Sequence, residues 1–186
     1  MNKFRIVAFA GSLRKASFHR MLIERSIEIM KDVLDVEHCL LDNIPVYNMD
    51  DEENPPAVIT ELKSKIRNAD GILIAVPEHN FSYSGALKNA IDWLSRPMTE
   101  NPFDRKPVAI FSVSTGMLGG SRAQYHFRQV LSYMKANQMY FPEMFVPFVK
   151  TKIDESGNIT DDKTKEVFEK FLKSFYEFIA NSKASG

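Results

Sequence analysis

The stretch Gly71-Ile72-Leu73-Ile74-Ala75-Val76, which ends at Pro77, decides the fold of this chain. Its apolar residues are continuous rather than alternating, and this pattern is typical of a strand buried on both faces of a parallel sheet. Pro77 has no backbone N–H, so it ends the strand and stiffens the turn that follows. A strand of this kind needs a layer of helices on each face, and the sequence on both sides supplies them.

Four further strands alternate with five helices around this segment. The other predicted strands are 4–10, 36–41, 108–113 and a less regular one at 138–148, which contains two prolines. Helical spacing of apolar residues predicts helices over 18–34, 57–68, 84–94 and 122–136, and a last one that begins near residue 160. This alternation predicts a doubly wound α/β fold: five parallel strands in the flavodoxin-like order 2-1-3-4-5, with helices on both faces.

The composition fits one ordinary domain. The chain has 186 residues, 44% hydrophobic and 26% charged, and we place the domain at 1–182 with a frayed tail at 183–186. Basic and acidic residues both number 24, which argues against nucleic-acid binding because such proteins usually carry a basic excess. The single cysteine, Cys39, allows no disulfide within the chain and is expected to be a small buried residue. With no secretory signal and no stretch long enough to span a membrane, we expect a cytoplasmic protein.

Topology places the function in three loops. Ligands of doubly wound sheets bind at the carboxyl ends of the strands, which selects the loops 11–19, 77–85 and 114–121. The first loop enters a helix N-terminus, where free N–H groups and the helix dipole attract an anion, and Ser12, Arg14 and Ser17 add donors. Alternatively, Ser17 is only a helix cap and Arg14 only a surface charge. The loop matches neither the P-loop nor the G-x-G-x-x-G pattern, so a single terminal phosphate, as in a mononucleotide, fits best.

The other two loops suit a planar ring. Asn80 offers amide donors and acceptors to a ring edge, and Gly116, Gly119 and Gly120 allow the backbone to come close. Either loop taken alone is better explained as turn chemistry. Because both fall where the topology places a ligand, we interpret the three loops as one site.

Four separated segments of the chain resemble the NADPH-dependent FMN reductase family, which includes quinone, azo-dye and chromate reductases. They are Gly11-Ser12-Leu13-Arg14-Lys15 with Ser17-Phe18, Pro77-Glu78 with Asn80 and Ser82, Leu87-Lys88-Asn89-Ala90-Ile91-Asp92-Trp93-Leu94-Ser95-Arg96-Pro97, and Gly119-Gly120 with Arg122-Ala123-Gln124. The resemblance runs from strand 1 to about Leu131. It implies a flavodoxin-like fold, non-covalently bound FMN, and NADPH or NADH as co-substrate.

The resemblance also implies which residues bind the cofactor. These are Ser12, Arg14, Ser17, Phe18 and His19 at the phosphate, Pro77, Glu78, His79, Asn80 and Ser82 along the ring, and Ser114, Thr115 and Gly116 at its other edge. The family commonly has Asn at position 19 and Tyr at position 79, and a protonated His19 could still contact the phosphate. We assign no catalytic side chain, because the cofactor carries the chemistry, and no metal site, because His19 and His79 lack further ligands at suitable spacing.

The sequence therefore predicts an NAD(P)H-dependent, FMN-containing oxidoreductase. It would reduce quinone-like or other small acceptors, such as flavins, azo compounds or chromate-type ions, by two electrons in a ping-pong scheme. A flavodoxin-type electron carrier and an FMN sensor without turnover are the alternatives. The resemblance implies a homodimer or homotetramer with sites at the subunit interface, to which the acidic loop around Asp50, Phe81 and Tyr83 could contribute.

Overall fold

The sheet is built around the strand that the continuous apolar segment predicts. The computed structural model describes residues 3–184. Its eight strands are β1 (Phe4–Ala10), β2 (Leu34–His38), β3 (Gly71–Ala75), β4 (Glu78–His79), β5 (Ser82–Tyr83), β6 (Pro107–Val113), β7 (Asn137–Gln138) and β8 (Phe145–Val146). Every residue of β3 is buried, and β3 pairs in parallel with β1 on one side and β6 on the other. The main sheet has the order β2-β1-β3-β6-β7, with β8 also paired to β6, so the predicted flavodoxin-like order is confirmed.

The fifth strand position is shared by two short strands instead of one irregular strand. β7 pairs with the start of β6, where Val108 lies opposite Gln138, and β8 pairs with its end, where Val113 lies opposite Val146. The residues between them leave the sheet, and Phe141 is 85% exposed. Pro142 lies in this excursion and has no N–H to contribute to a ladder, which explains the break.

Five helices cover the two faces of the sheet. They are α1 (Phe18–Met30), α2 (Ala57–Asn68), α3 (Gly85–Leu94), α4 (Ser121–Tyr133) and α5 (Asp162–Ala184). Buried side chains of α1 and α5 share one hydrophobic cluster with the sheet, and those of α2, α3 and α4 share the other. Phe111 of β6 is an example of this packing between sheet and helix. The centroid of its ring lies 5.6 Å from that of Phe168 and 6.3 Å from that of Phe171, both on α5.

Several predicted boundaries differ from the structure, and α4, for example, ends at Tyr133 rather than at residue 136. Helix α1 ends at Met30 rather than at Leu34, and β2 starts at Leu34, four residues after the helix, where it pairs with Phe4. The apolar residues of the two elements follow one another without a break, so their periodicity does not separate them. Helix α5 continues through Ala184, and the rest of the predicted tail, residues 185 and 186, lies outside the described residues.

Candidate active site

A cleft of about 520 Å³ opens at the carboxyl ends of β1, β3 and β6, where the topology places a ligand. The predicted site residues that line it are Ser12, Arg14, Ser17, Phe18, His19, Pro77, Glu78, His79, Ser114 and Thr115. Three predicted residues do not line it: Asn80, Ser82 and Gly116. The cleft is also lined by residues that the sequence did not single out: Gly11, Leu13, Ser84, Gly85, Ala86, Val113 and Val149.

The end of the cleft at α1 suits an anion. Ser17 occupies the N-cap position and is buried, but its side chain makes no capping hydrogen bond. The first intrahelical bond runs from the Met21 N–H to the Ser17 carbonyl at 3.0 Å, so the N–H groups of residues 18–20 have no acceptor within the helix. Free N–H groups, a hydroxyl and the helix dipole therefore converge on one place.

Two arginines flank this end of the cleft in different ways. Arg14 is exposed, and its Nε donates to the Ala16 carbonyl at 3.1 Å. Its guanidinium has further donors that can turn toward a phosphate. Arg20 is mostly buried; its Nε donates to the Ser12 carbonyl at 2.8 Å and its Nη2 contacts Asp42 at 2.8 Å. Arg20 therefore braces the loop, a role that the sequence did not indicate.

Close packing of Gly11 joins the first loop to the second. A Cβ atom at Gly11 would lie 2.8 Å from Leu87 Cβ, 2.8 Å from Pro77 Cδ and 3.0 Å from Ser84 Oγ. The Ser84 hydroxyl donates to the Gly11 carbonyl at 2.5 Å and accepts from the Leu87 N–H at 3.2 Å, so it also caps α3. The loops after β1 and β3 are thereby held at a fixed separation.

The second loop folds into a small hairpin formed by β4 and β5. Asn80 (φ 50°) and Phe81 (φ 67°) form its two-residue turn, which requires positive φ at both positions. Asn80 and Ser82 are not among the residues that line the cleft, and Ser82 Oγ lies 3.2 Å from His126 Nδ1. Their contact with a bound cofactor stays a prediction.

Glu78 connects the second loop to α4. Its Oε2 accepts a hydrogen bond from the Ala123 N–H at 3.3 Å, at the N-terminus of that helix. The guanidinium carbon of Arg122 lies 4.0 Å from the ring centroid of Phe81, a cation–π contact at the hairpin tip. These contacts leave Pro77, Glu78 and His79 along the cleft while the tip of the hairpin packs on α4.

A buried hydrogen-bond network supports the third loop. The Ser112 hydroxyl donates to the Gly119 carbonyl at 2.6 Å and accepts from Gln124 Nε2 at 2.8 Å. Gln124 Nε2 also donates to the Met144 carbonyl, at 2.8 Å. Ser114 and Thr115 lie along the cleft, whereas Gly116 lies beyond it and its N–H donates to Ser114 Oγ at 3.0 Å.

His19 is a buried histidine that links α1 to β6 and also lines the cleft. Its Nε2 lies 3.3 Å from the Val113 N–H and accepts its hydrogen bond. Burial lowers the pKa of His19 to about 4, a hydrogen bond with the Val76 backbone opposes this shift, and the charges of His79 and Arg14 add to it. Burial therefore disfavours the protonated form of His19, and its contact with the phosphate stays a prediction.

The structure also places other residues that the sequence analysis discussed. Cys39 is buried, and burial raises the pKa of its thiol to about 11, so it is not a reactive nucleophile. Trp93 and the phenylalanines of α5 are core residues, as expected. Within residues 3–184, no three potential metal-ligating residues cluster, and none of the helices is both long and apolar enough to cross a membrane.

The fold and the cleft together define a flavodoxin-like protein with a site for a mononucleotide. The donors at α1 suit one phosphate group, the loops after β3 and β6 provide facing walls, and the volume lies in the usual range for small-ligand sites. The profile of the family described as NADPH-dependent FMN reductase matches residues 4–151. The chain belongs to this family, which confirms the resemblance seen in the sequence.

Individual relatives agree with this assignment. The chain is 40% identical over 185 residues to a quinone reductase of Escherichia coli K12, covering 97% of this chain and 98% of the relative. It is 37% identical over 172 residues to an NAD(P)H-dependent FMN reductase of Pseudomonas aeruginosa, covering 91% and 92%. The solved structure of the flavoenzyme NAD(P)H:(acceptor) oxidoreductase of Paracoccus denitrificans aligns with a TM-score of 0.87 at 30% identity, covering 96% and 98%.

Proposed function

We propose that this protein is an NAD(P)H-dependent, FMN-containing oxidoreductase that reduces quinone-like acceptors by two electrons. The observation that carries the proposal is the single cleft in which an anion-binding helix N-terminus meets the loops after β3 and β6. Family membership and the quinone reductases among the relatives support the same activity.

The residues of the cleft fit FMN. Ser12, Ser17 and Arg14, with the free N–H groups at the start of α1, would hold the phosphate. The loops 77–79 and 113–115 would border the ring, and their backbone dipoles would stabilise negative charge on it. When bound, FMN takes up a hydride from NAD(P)H and passes two electrons to an acceptor. We assign no side chain of this chain as a general acid or base.

We further propose that the nicotinamide and the acceptor occupy the cleft in turn, as in a ping-pong scheme. This follows from the three loops bordering the same cleft, so that both substrates must approach the ring there. The acceptors to compare are quinones, free flavins, azo compounds and chromate, each with NADPH and with NADH.

An absorbance spectrum before and after anaerobic addition of NADPH tests the proposal. A reductase shows flavin bands that NADPH bleaches and that a quinone restores. Bound flavin that NADPH does not bleach would indicate an FMN sensor or an electron carrier without turnover. If added FMN fails to bind at all, the proposed site is wrong.

Replacing Arg14 with alanine should weaken FMN binding about 10- to 100-fold. A hydrogen bond to a charged group contributes about 1.5–3 kcal/mol, which corresponds to that range of affinity. Titrating apoprotein with FMN and following flavin fluorescence measures the change. Arg67, an exposed arginine of α2 that pairs with Glu100, provides the matched control, and Arg67→Ala should bind FMN as the wild type does. An unchanged affinity in Arg14→Ala would contradict the phosphate assignment.

We also propose a homodimer or homotetramer in the cytoplasm. Exposed aromatic residues support association: Phe81, Tyr125, Tyr133, Tyr140 and Phe141 are all at least half exposed. Tyr83 is a weaker candidate, because its ring packs 5.3 Å from Phe127. A pyridine-nucleotide substrate supports the cytoplasmic location. Light scattering of the purified protein gives the number of subunits, and cell fractionation tests the location.

A further inference from the structure

A second groove, of about 510 Å³, lies beside the cofactor cleft along α3. We call it the apolar groove and define it by Leu13, Leu41, Ile44, Val46, Tyr47 and Ala86. Leu13, Gly85 and Ala86 line both the groove and the cleft. The groove and the cleft therefore adjoin at these three residues, so a substituent on a ligand in the cleft has only a short distance to reach the groove.

The surface of the groove is mainly apolar, and the charged residues at its rim are paired with each other. Leu13 is 48% exposed and Val46 is 85% exposed, so both present hydrocarbon to the opening. The charged residues at the rim, Lys88 and Asp92, pair with each other at 2.6 Å. The rim therefore offers no unpaired charge to the phosphates of NAD(P)H, whereas a neutral hydrocarbon group would bury apolar surface there.

The outer wall of the groove is held in place by α3. The Tyr47 N–H donates to Asn89 Oδ1 at 2.7 Å, and Asn89 Nδ2 and Trp93 Nε1 each donate to the Pro45 carbonyl at 2.9 Å. The rings of Tyr47 and Trp93 meet edge to face, with centroids 5.2 Å apart. Because the wall is already ordered, a ligand would not have to pay the cost of ordering this loop.

We propose that the apolar groove binds the hydrocarbon substituent of the electron acceptor while the acceptor's quinone ring lies in the cleft. The preferred acceptors are then alkyl-substituted quinones rather than unsubstituted or ionic ones. This inference rests on the proposed quinone reductase activity and adds the class of quinone. Its carrying observation, an apolar groove that adjoins the cofactor cleft, is independent of the phosphate site.

The test compares 2-hexyl-1,4-benzoquinone with 2-methyl-1,4-benzoquinone, which have similar ring chemistry. Burying one methylene group strengthens binding about fourfold, so two buried methylenes already give a kcat/KM ratio above about tenfold. Val46→Glu should lower this ratio by about tenfold. Val167→Glu is the matched control, because Val167 is an exposed valine on α5, and this variant should keep the wild-type ratio. A wild-type ratio near one, or an equal loss in both variants, overturns the proposal.

A binding measurement separates failure of the groove from failure of the proposed function. Trp93, the one tryptophan of the sequence, lies behind the groove wall, so its fluorescence should change saturably with 1-hexanol in the FMN-loaded protein. Val46→Glu should lose this response and Val167→Glu should keep it.

If no quinone is reduced but the fluorescence response is present, the proposed activity is wrong and the groove still binds hydrocarbon. If methyl-benzoquinone is reduced but 1-hexanol gives no response, the groove proposal is wrong. A lower subunit number in Val46→Glu would instead place a second copy of the chain in the groove and overturn the proposal.

Discussion

Replacing Gly120 with alanine should destabilise the protein by about 2–5 kcal/mol. Gly120 has φ +87°, and this left-handed conformation costs other residues about 1–2 kcal/mol. A Cβ atom there would also lie 2.7 Å from Ser112 Cβ and 2.8 Å from Ser112 Oγ, and overpacking of this kind costs about 1–3 kcal/mol. Moving Ser112 would disturb its hydrogen bonds to Gly119 and Gln124, which support the third loop of the cleft.

Gly116, in the same loop, provides the matched control. Its nearest neighbour for a new Cβ atom is Ser114 Oγ at 3.6 Å, an ordinary contact distance. Gly116→Ala should therefore change the free energy of unfolding by less than about 0.5 kcal/mol. Urea unfolding of both variants measures the difference. Equal stability of the two variants would show that the close approach of Gly120 to Ser112 is not a constraint on this fold.

The fold was predictable because its central feature is local. The segment 71–76 is apolar without interruption, and a strand of that kind is compatible only with a sheet covered on both faces. The boundary between α1 and β2 was not predictable from apolar spacing, since Leu34 continues the pattern of the helix while it pairs with Phe4. The division of the fifth strand depends on how both ends of β6 find partners, which is a tertiary property.

Part of the candidate site was predictable because the loops that follow parallel strands meet at one edge of the sheet. Topology placed three loops together, and residues from all three line the cleft. The bracing role of Arg20 was missed because its partners, Ser12 and Asp42, come together only when β1, α1 and β2 are assembled. Val149 was missed because it lies well after the third loop and no motif around it points to the cleft. The position of Asn80 outside the cleft lining could not be predicted, because the hairpin turn, not the residue type, decides where its side chain lies.

The stability of the protein should fall by about 3 kcal/mol between pH 7 and pH 4 through His19 alone. An unfolded histidine has a pKa of about 6.5, whereas burial lowers the pKa of His19 in the folded protein to about 4. Between these values the unfolded chain binds more protons than the folded one, so acid favours unfolding. The contribution is absent above about pH 7, grows as the pH falls through 6.5, and is complete below about 4.

Comparison with His19→Gln isolates this effect from the carboxylates that also titrate in acid. Glutamine can accept the hydrogen bond from the Val113 N–H but takes up no proton, so the variant should lack the His19 contribution to the pH dependence. Urea unfolding at several pH values measures the difference between the two proteins. Parallel pH profiles would mean that His19 is not buried as a neutral ring. Protonation also removes the acceptor for the Val113 N–H and places a charge near Arg14 and His79, so acid should loosen the cleft before the rest of the fold.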